Sequence, residues 1–129
     1  MNNIYKRIVF TAGFLFLFLG AQAQSALEDV ANALRSGNVS AMANYFDNIV
    51  PITINGSQST YSRTQAEMVL KDFMRTNVPK ELTIVSSGNS NNARFAIGDL
   101  TTSTGKYSVY ILLKQKDHSY YLQELRLNK

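Results

Sequence analysis

The last fifty residues alternate apolar and polar positions over four segments separated only by short polar turns, and this run restricts the fold more than any other feature of the chain. Successive strands joined by short turns pair antiparallel. The spacing predicts strands over Glu81–Ser86, Ala93–Thr101, Lys106–Lys114 and Ser119–Leu127. Gly88-Asn89-Ser90-Asn91-Asn92 reads as a polar loop, and Ser103-Thr104-Gly105 and Lys116-Asp117-His118 read as turns. Asp99 interrupts the second of these strands after Gly98, which suggests a bulge there. In Lys106–Lys114 one face carries Tyr107, Val109, Ile111 and Leu113, while the other carries Tyr110 and Leu112. In the last strand Tyr121, Leu125 and Leu127 share one face, with Tyr120 and Leu122 opposite. A sheet with helices on one side and water on the other alternates more cleanly. Both faces therefore ask for cover, one from helices and the other from a second copy of the chain in a homodimer through the sheet. The ordinary alternative is a few scattered exposed apolar residues.

Ahead of the sheet the period becomes helical. Ser25-Ala-Leu-Glu28 has the form of a capping box, and Leu27, Val30, Ala31 and Leu34 recur as an apolar stripe. Arg35 favours a helix C-terminus and Gly37 supplies the left-handed residue that ends it. Ser40 can cap a second, shorter helix through Ala41–Phe46, presenting Met42, Tyr45 and Phe46. Ile49–Ile54 is β-rich, Asn55-Gly56 is a two-residue hairpin signal, and Ser57–Tyr61 is the return strand. Ser62-Arg63-Thr64 offers two overlapping caps for a third helix over Gln65–Thr76, with Met68, Val69, Phe73 and Met74 as its buried face and Pro79 beyond its end.

The chain begins with Lys6 and Arg7 as its only early charges, then a low-polarity run over Ile8–Leu19, then Gly20-Ala21-Gln22-Ala23. These are the basic, apolar and small-residue parts of a secretory signal peptide. As helix the 12 residues of that run reach about 18 Å, short of a ~30 Å hydrocarbon core. Residues 1–23 are read as the signal, with cleavage between Ala23 and Gln24, leaving residues 24–129 as one domain with no stable membrane anchor. The expected location is the periplasm or the cell surface. The sequence holds no cysteine, so lipoprotein anchoring, disulfides and thiolate chemistry are excluded. Without Lys6 and Arg7, 11 basic residues stand against 9 acidic ones, dispersed along the chain. That balance gives no stripe for a nucleic acid.

Three helices, an early hairpin and a long bent antiparallel sheet together resemble the cone-shaped α+β domains related to nuclear transport factor two. That superfamily, of cystatin-like architecture, also includes SnoaL-like proteins and ketosteroid isomerase. The chain looks most like a family of small exported bacterial proteins of unknown function with this fold. The likeness rests on Ala26–Phe46, Thr60-Tyr61-Ser62 leading into Gln65–Phe73, Tyr107–Lys114 and Tyr121–Leu127. It implies a cavity between the concave face of the sheet and the helices, and frequent pairing through the sheet. It carries over no catalytic residue, and the fold alone hosts enzymes, binders and scaffolds.

The residues themselves offer weak chemistry. His118 is the only histidine and sits in a predicted turn, where a solvated side chain is the plainer reading than a triad. The chain shows no calcium-loop spacing, phosphate loop or nucleophile elbow, so no metal or cofactor is expected. Asp47, after Tyr45-Phe46, could act as a base if an apolar cavity mouth raised its pKa. Otherwise it is a loop-capping aspartate. Tyr61 and Tyr45 could project hydroxyls inward beside Arg75 or Asp47, or be core-edge tyrosines with wet hydroxyls. Asn38-Val-Ser40 and Asn55-Gly-Ser57 match a glycosylation sequon but are explained by a cap and a turn.

The expected cavity lining is thus Tyr45, Phe46, Asp47, Tyr61, Phe73 and Arg75. The expected function is a non-catalytic binding or interaction domain, holding a small apolar ligand, meeting an envelope protein or pairing through its sheet. The alternative is a cavity enzyme, an isomerase, dehydratase or hydrolase using Asp47 with a tyrosine. A cavity filled by Phe46, Phe73 and Phe95 would instead favour a structural role.

Overall fold

A computed structural model describes residues 25–129. Residues 1–23, read from the sequence as a signal, and the expected Ala23–Gln24 junction lie outside the described residues. In chain order the elements are a helix over residues 25–36 (α1), Val39–Ala43 (α2), Ile49–Ile54 (β1), Ser57–Ser62 (β2), Arg63–Thr76 (α3), Pro79–Ser90 (β3), Ala93–Thr102 (β4), Gly105–Lys116 (β5) and Ser119–Asn128 (β6). The strands form one six-stranded sheet in the order β2-β1-β6-β5-β4-β3. Neighbours are antiparallel except β1 and β6, which run parallel. The predicted α+β class and meander are present.

Helix α1 ends as Gly37 predicts. Gly37 adopts φ +69°, Asn38 N–H donates to Ala33 O at 2.8 Å and Gly37 N–H to Leu34 O at 3.2 Å, the paired bonds of a Schellman stop. Ser25 is already helical, so the cap of α1 lies outside the described residues. The second helix departs from expectation at both ends. Its cap is Asn38, whose side chain accepts from Ala41 N–H, and it stops at Ala43. Asn38 carries an oxygen that reaches the third amide beyond it, so Ser40 falls inside the helix. Phe46 is released from the helix to form a parallel bridge with Leu122.

In α3, Ser62 wins over Thr64. It accepts from Gln65 N–H while the Gln65 side chain accepts from Ser62 N–H. The buried face is Ala66, Leu70, Phe73 and Met74, and Met68 is 63 % exposed. Starting the helix two residues earlier fixes its orientation, and the spacing of four, three and one is the true core stripe.

Bulges displace two expectations in the sheet. Pairing of β3 with β4 jumps from Ile84–Gly98 to Ser86–Ile97, so the extra residue is Val85 on β3, not Asp99 on β4. Gly98 is the reason the bulge fits there, because a Cβ on it would sit 2.6 Å from Thr83 O. Pairing of β5 with β6 jumps from Leu112–Glu124 to Leu113–Leu122, leaving Gln123 extra. That insertion turns Leu122, with Tyr120 still beside it, onto the core face of Leu125 and Leu127 and leaves Tyr121 on the other face, correcting the expected grouping. Strand β3 also runs through Gly88, so the expected loop shrinks to the turn at Asn91-Asn92.

The core lies between one face of the sheet and the helices. It joins Val30 and Leu34 of α1, Leu70 and Phe73 of α3, and Val109, Ile111, Leu113, Leu122 and Leu125 of the central strands.

Candidate functional site

The six expected lining residues do not converge on one cavity. Phe46 is 1 % exposed and Phe73 is 7 % exposed, both within the core cluster. Phe73 meets Tyr107 edge-on, with ring centroids 5.1 Å apart. These aromatics fill the space in which a guest was expected. Tyr61 is half-buried on β2 opposite Val50. Its hydroxyl makes no hydrogen bond to Asp47 or Arg75 among the described residues. Arg75 is exposed and donates to Asp72 at 2.6 Å. The third aromatic weighed as filler, Phe95, lies on the opposite face of the sheet, cross-strand from Gly88.

Asp47 has the opposite electrostatics from those of a general base. The Asn48 N–H donates to its carboxylate at 2.8 Å and Lys116 Nζ approaches at 3.4 Å. The Asn48 bond, aided by Lys116, holds its carboxyl below the ordinary 3.8, so the expected rise is corrected. A pKa depressed in the folded state stabilises above the unfolded value and loses that contribution as pH falls through the folded one. For this largely solvated pair the effect is small. Asp47→Asn is expected to change stability at pH 7 by less than about 1 kcal/mol, with the difference vanishing in acid. Denaturant titrations of both proteins at pH 7 and near pH 3 check this.

Tyr45 is half-buried, and its hydroxyl donates to Asp29 Oδ2 at 2.5 Å. Burial, reinforced by Asp29, pushes its pKa up to about 12. Because the folded value is raised, the stabilisation is full below the unfolded value of 10 and disappears as pH rises through about 12. Ultraviolet titration should show a phenol ionising near that value, and Tyr45→Phe should remove it.

Two grooves remain. One, of ≈ 290 Å³, runs between α1 and the β3–β4 pair, with Leu27, Ala31, Ile84 and Ala96 as apolar lining and Glu28 and Ser87 beside them. The sequence places Leu27 and Ala31 on an apolar stripe but gives no sign that a groove runs between them and β3. The bulge at Val85 falls between Ile84 and Ser87, the two β3 residues of its wall. The other groove, of ≈ 460 Å³, joins Tyr45 to the β5–β6 turn. Among the described residues no group of three metal-ligating side chains stands close enough to hold an ion.

The family model described as "Domain of unknown function (DUF4783)" matches residues 27–128. No curated protein matches the chain significantly. The structure is similar to that of a DUF4783 family protein from Bacteroides ovatus, at TM-score 0.76 and 22 % identity, covering 78 % of this chain and 92 % of that one. A DUF4783 family protein from Bacteroides fragilis gives 0.74 and 24 %, covering 78 % and 95 %. An NTF-2 like protein of unknown function from Shewanella oneidensis gives 0.63 and 14 %, covering 85 % and 98 %. At these identities the likeness to the solved structures shows the fold.

Proposed function

The chain belongs to the DUF4783 family, whose function is unknown, and we propose that it is an exported, non-catalytic binding module that holds a small apolar guest in the groove between α1 and β3–β4. The observation that carries this reading is the division of apolar surface. The interior of the cone is filled by Phe46, Phe73 and Tyr107, whereas Leu27 and Ile84 keep an apolar side open to solvent. A guest shielding them would gain roughly 25 cal/mol for each Å² removed from water. The depressed pKa of Asp47 weighs against the enzyme alternative.

The fluorescent apolar probe N-phenyl-1-naphthylamine tests the groove. Saturable enhancement is expected, and Ile84→Lys should abolish it while leaving the melting temperature within a few degrees. An unsaturable or variant-insensitive signal sinks the reading. Export is tested by N-terminal sequencing of the protein from its host's envelope, where a start at Gln24 is expected and retention of Met1 refutes it.

A second reading, pairing through the sheet, is favoured by a specific observation. On the face away from the helices, Phe95 pairs with Leu112 and Ile97 with Tyr110, forming an apolar patch edged by the Glu124–Arg126 ion pair. Ile97 is 41 % exposed. Sedimentation equilibrium should find a dimer that Ile97→Glu converts to monomer.

A further inference from the structure

We propose that the groove between the start of α1 and the β5–β6 turn is a binding site for a neutral saccharide. Three tyrosines, Tyr45, Tyr120 and Tyr121, line it together with His118, Asn44 and Ser119. Its volume of ≈ 460 Å³ suits one or two sugar rings. Among the described residues the lining holds no Asp, Glu, Lys or Arg. The carboxylate nearest Tyr45, Asp29, is already engaged by the Tyr45 hydroxyl. A charged ligand would find no counter-ion there, and a purely apolar one would strand amide and hydroxyl groups without partners. A polyhydroxylated ring matches both parts of the surface, with C–H faces for aromatic rings and hydroxyls for neutral donors and acceptors.

Two further observations, independent of the lining, support a built site. The groove's walls are clamped by backbone. Leu122 N–H donates to Tyr45 O at 2.7 Å, and Phe46 bridges to Leu122, so the Tyr45 segment is held against β6 next to Tyr121. The Tyr45 phenol is itself fixed by Asp29, which makes it a pre-organised wall and limits the ordering a ligand must impose. The turn that carries His118 is also strained. Asp117 at φ +51° and His118 at φ +67° are consecutive left-handed residues, where a two-residue hairpin favours Gly at the second position. The comparable turn between β1 and β2 does use Gly56 at φ +81°. Histidine at such a position is a local penalty that a role in the groove explains.

The test uses the protein as isolated from its host, with cellobiose, maltose and N,N′-diacetylchitobiose as probes, followed by amide chemical shifts. At least one probe should shift His118 to Tyr121 and Tyr45 together, with Kd on the order of 1 mM. Tyr121→Ala should weaken that binding at least about tenfold, or 1.4 kcal/mol, without moving amides in the core. His118→Gly separates a functional histidine from an incidental one. It should raise the melting temperature by relieving the turn, yet weaken the saccharide. Failure of all three probes at tens of millimolar, shifts confined to other surfaces, or undiminished binding by His118→Gly would each overturn the proposal.

Discussion

Phe46→Ala is expected to destabilise the domain by about 3–5 kcal/mol, the range for deleting a fully buried aromatic side chain. Phe46 is 1 % exposed, and it sits at a junction. Its backbone bridges to Leu122, and its ring belongs to the core shared with Leu34, Met42 and Leu70. The truncation leaves a void with rigid walls, because the neighbouring segment is held by the Leu122–Tyr45 hydrogen bond and cannot collapse into it. For a domain of this size the melting temperature should fall by on the order of 10 °C or more. Urea unfolding with an unchanged m-value would show that the loss lies in stability and not in the compactness of either state. The result also decides between two views of this residue. A phenylalanine that merely edged an open ligand cavity would cost far less to remove, because the space beside it would already be solvated. A loss under about 1.5 kcal/mol would therefore reinstate the cavity and overturn the account of a filled cone.

The elements most readily read from the sequence are those in which local chemistry and tertiary demand agree. Gly37, Asn55-Gly56 and the Ser62–Gln65 capping box each act over no more than four residues; the first two stand where the sequence places them and the third is one of the two caps it offers. The β5 strand was equally legible, since Tyr107, Val109, Ile111 and Leu113 are all buried and Tyr110 and Leu112 are half-buried as alternation requires. What local pattern could not supply was register. A period-two reading carried through Gln123 puts Leu122 on the wrong face, and only the pairing with β5 reveals the inserted residue. The β3 bulge has the same character. Gly98 does mark it, but the extra residue belongs to the strand next door, 13 positions earlier at Val85. The site suffered from the same blindness at longer range. Asp47 looked like a candidate base because its neighbours in sequence are aromatic, whereas its neighbour in space is Lys116. His118 is exposed in its turn as its sequence context predicts, but nothing local indicates that Tyr45, 73 positions earlier, lines the same groove.

Asn77→Ala should produce the second large effect, about 2–4 kcal/mol, through polar groups and not through volume. Asn77 closes α3, with its backbone N–H donating to Phe73 O at 2.8 Å and its side-chain amide donating to the same oxygen at 3.0 Å. Its Oδ1 accepts from the Tyr107 hydroxyl at 3.1 Å and from the Thr104 hydroxyl. One side chain thus ties the end of a helix to the β4–β5 turn and to the central strand β5. Asn77 and Tyr107 are both buried, so truncation strands the Tyr107 hydroxyl away from water. An orphaned buried donor costs about 1–3 kcal/mol, and the lost tie at the helix end adds to it. Tyr107→Phe removes the donor itself and leaves Oδ1 with Thr104, so it should cost less than Asn77→Ala. The ring of Tyr107 keeps its edge-on contact with Phe73 in that variant. In the double variant no stranded hydroxyl remains, and its loss should fall short of the sum of the single losses by roughly 1 kcal/mol or more. Additive losses would mean that solvent reaches the Tyr107 hydroxyl when Asn77 is cut back. The helix end would then be held by the Phe73 bonds alone, and the network would not couple α3 to the sheet.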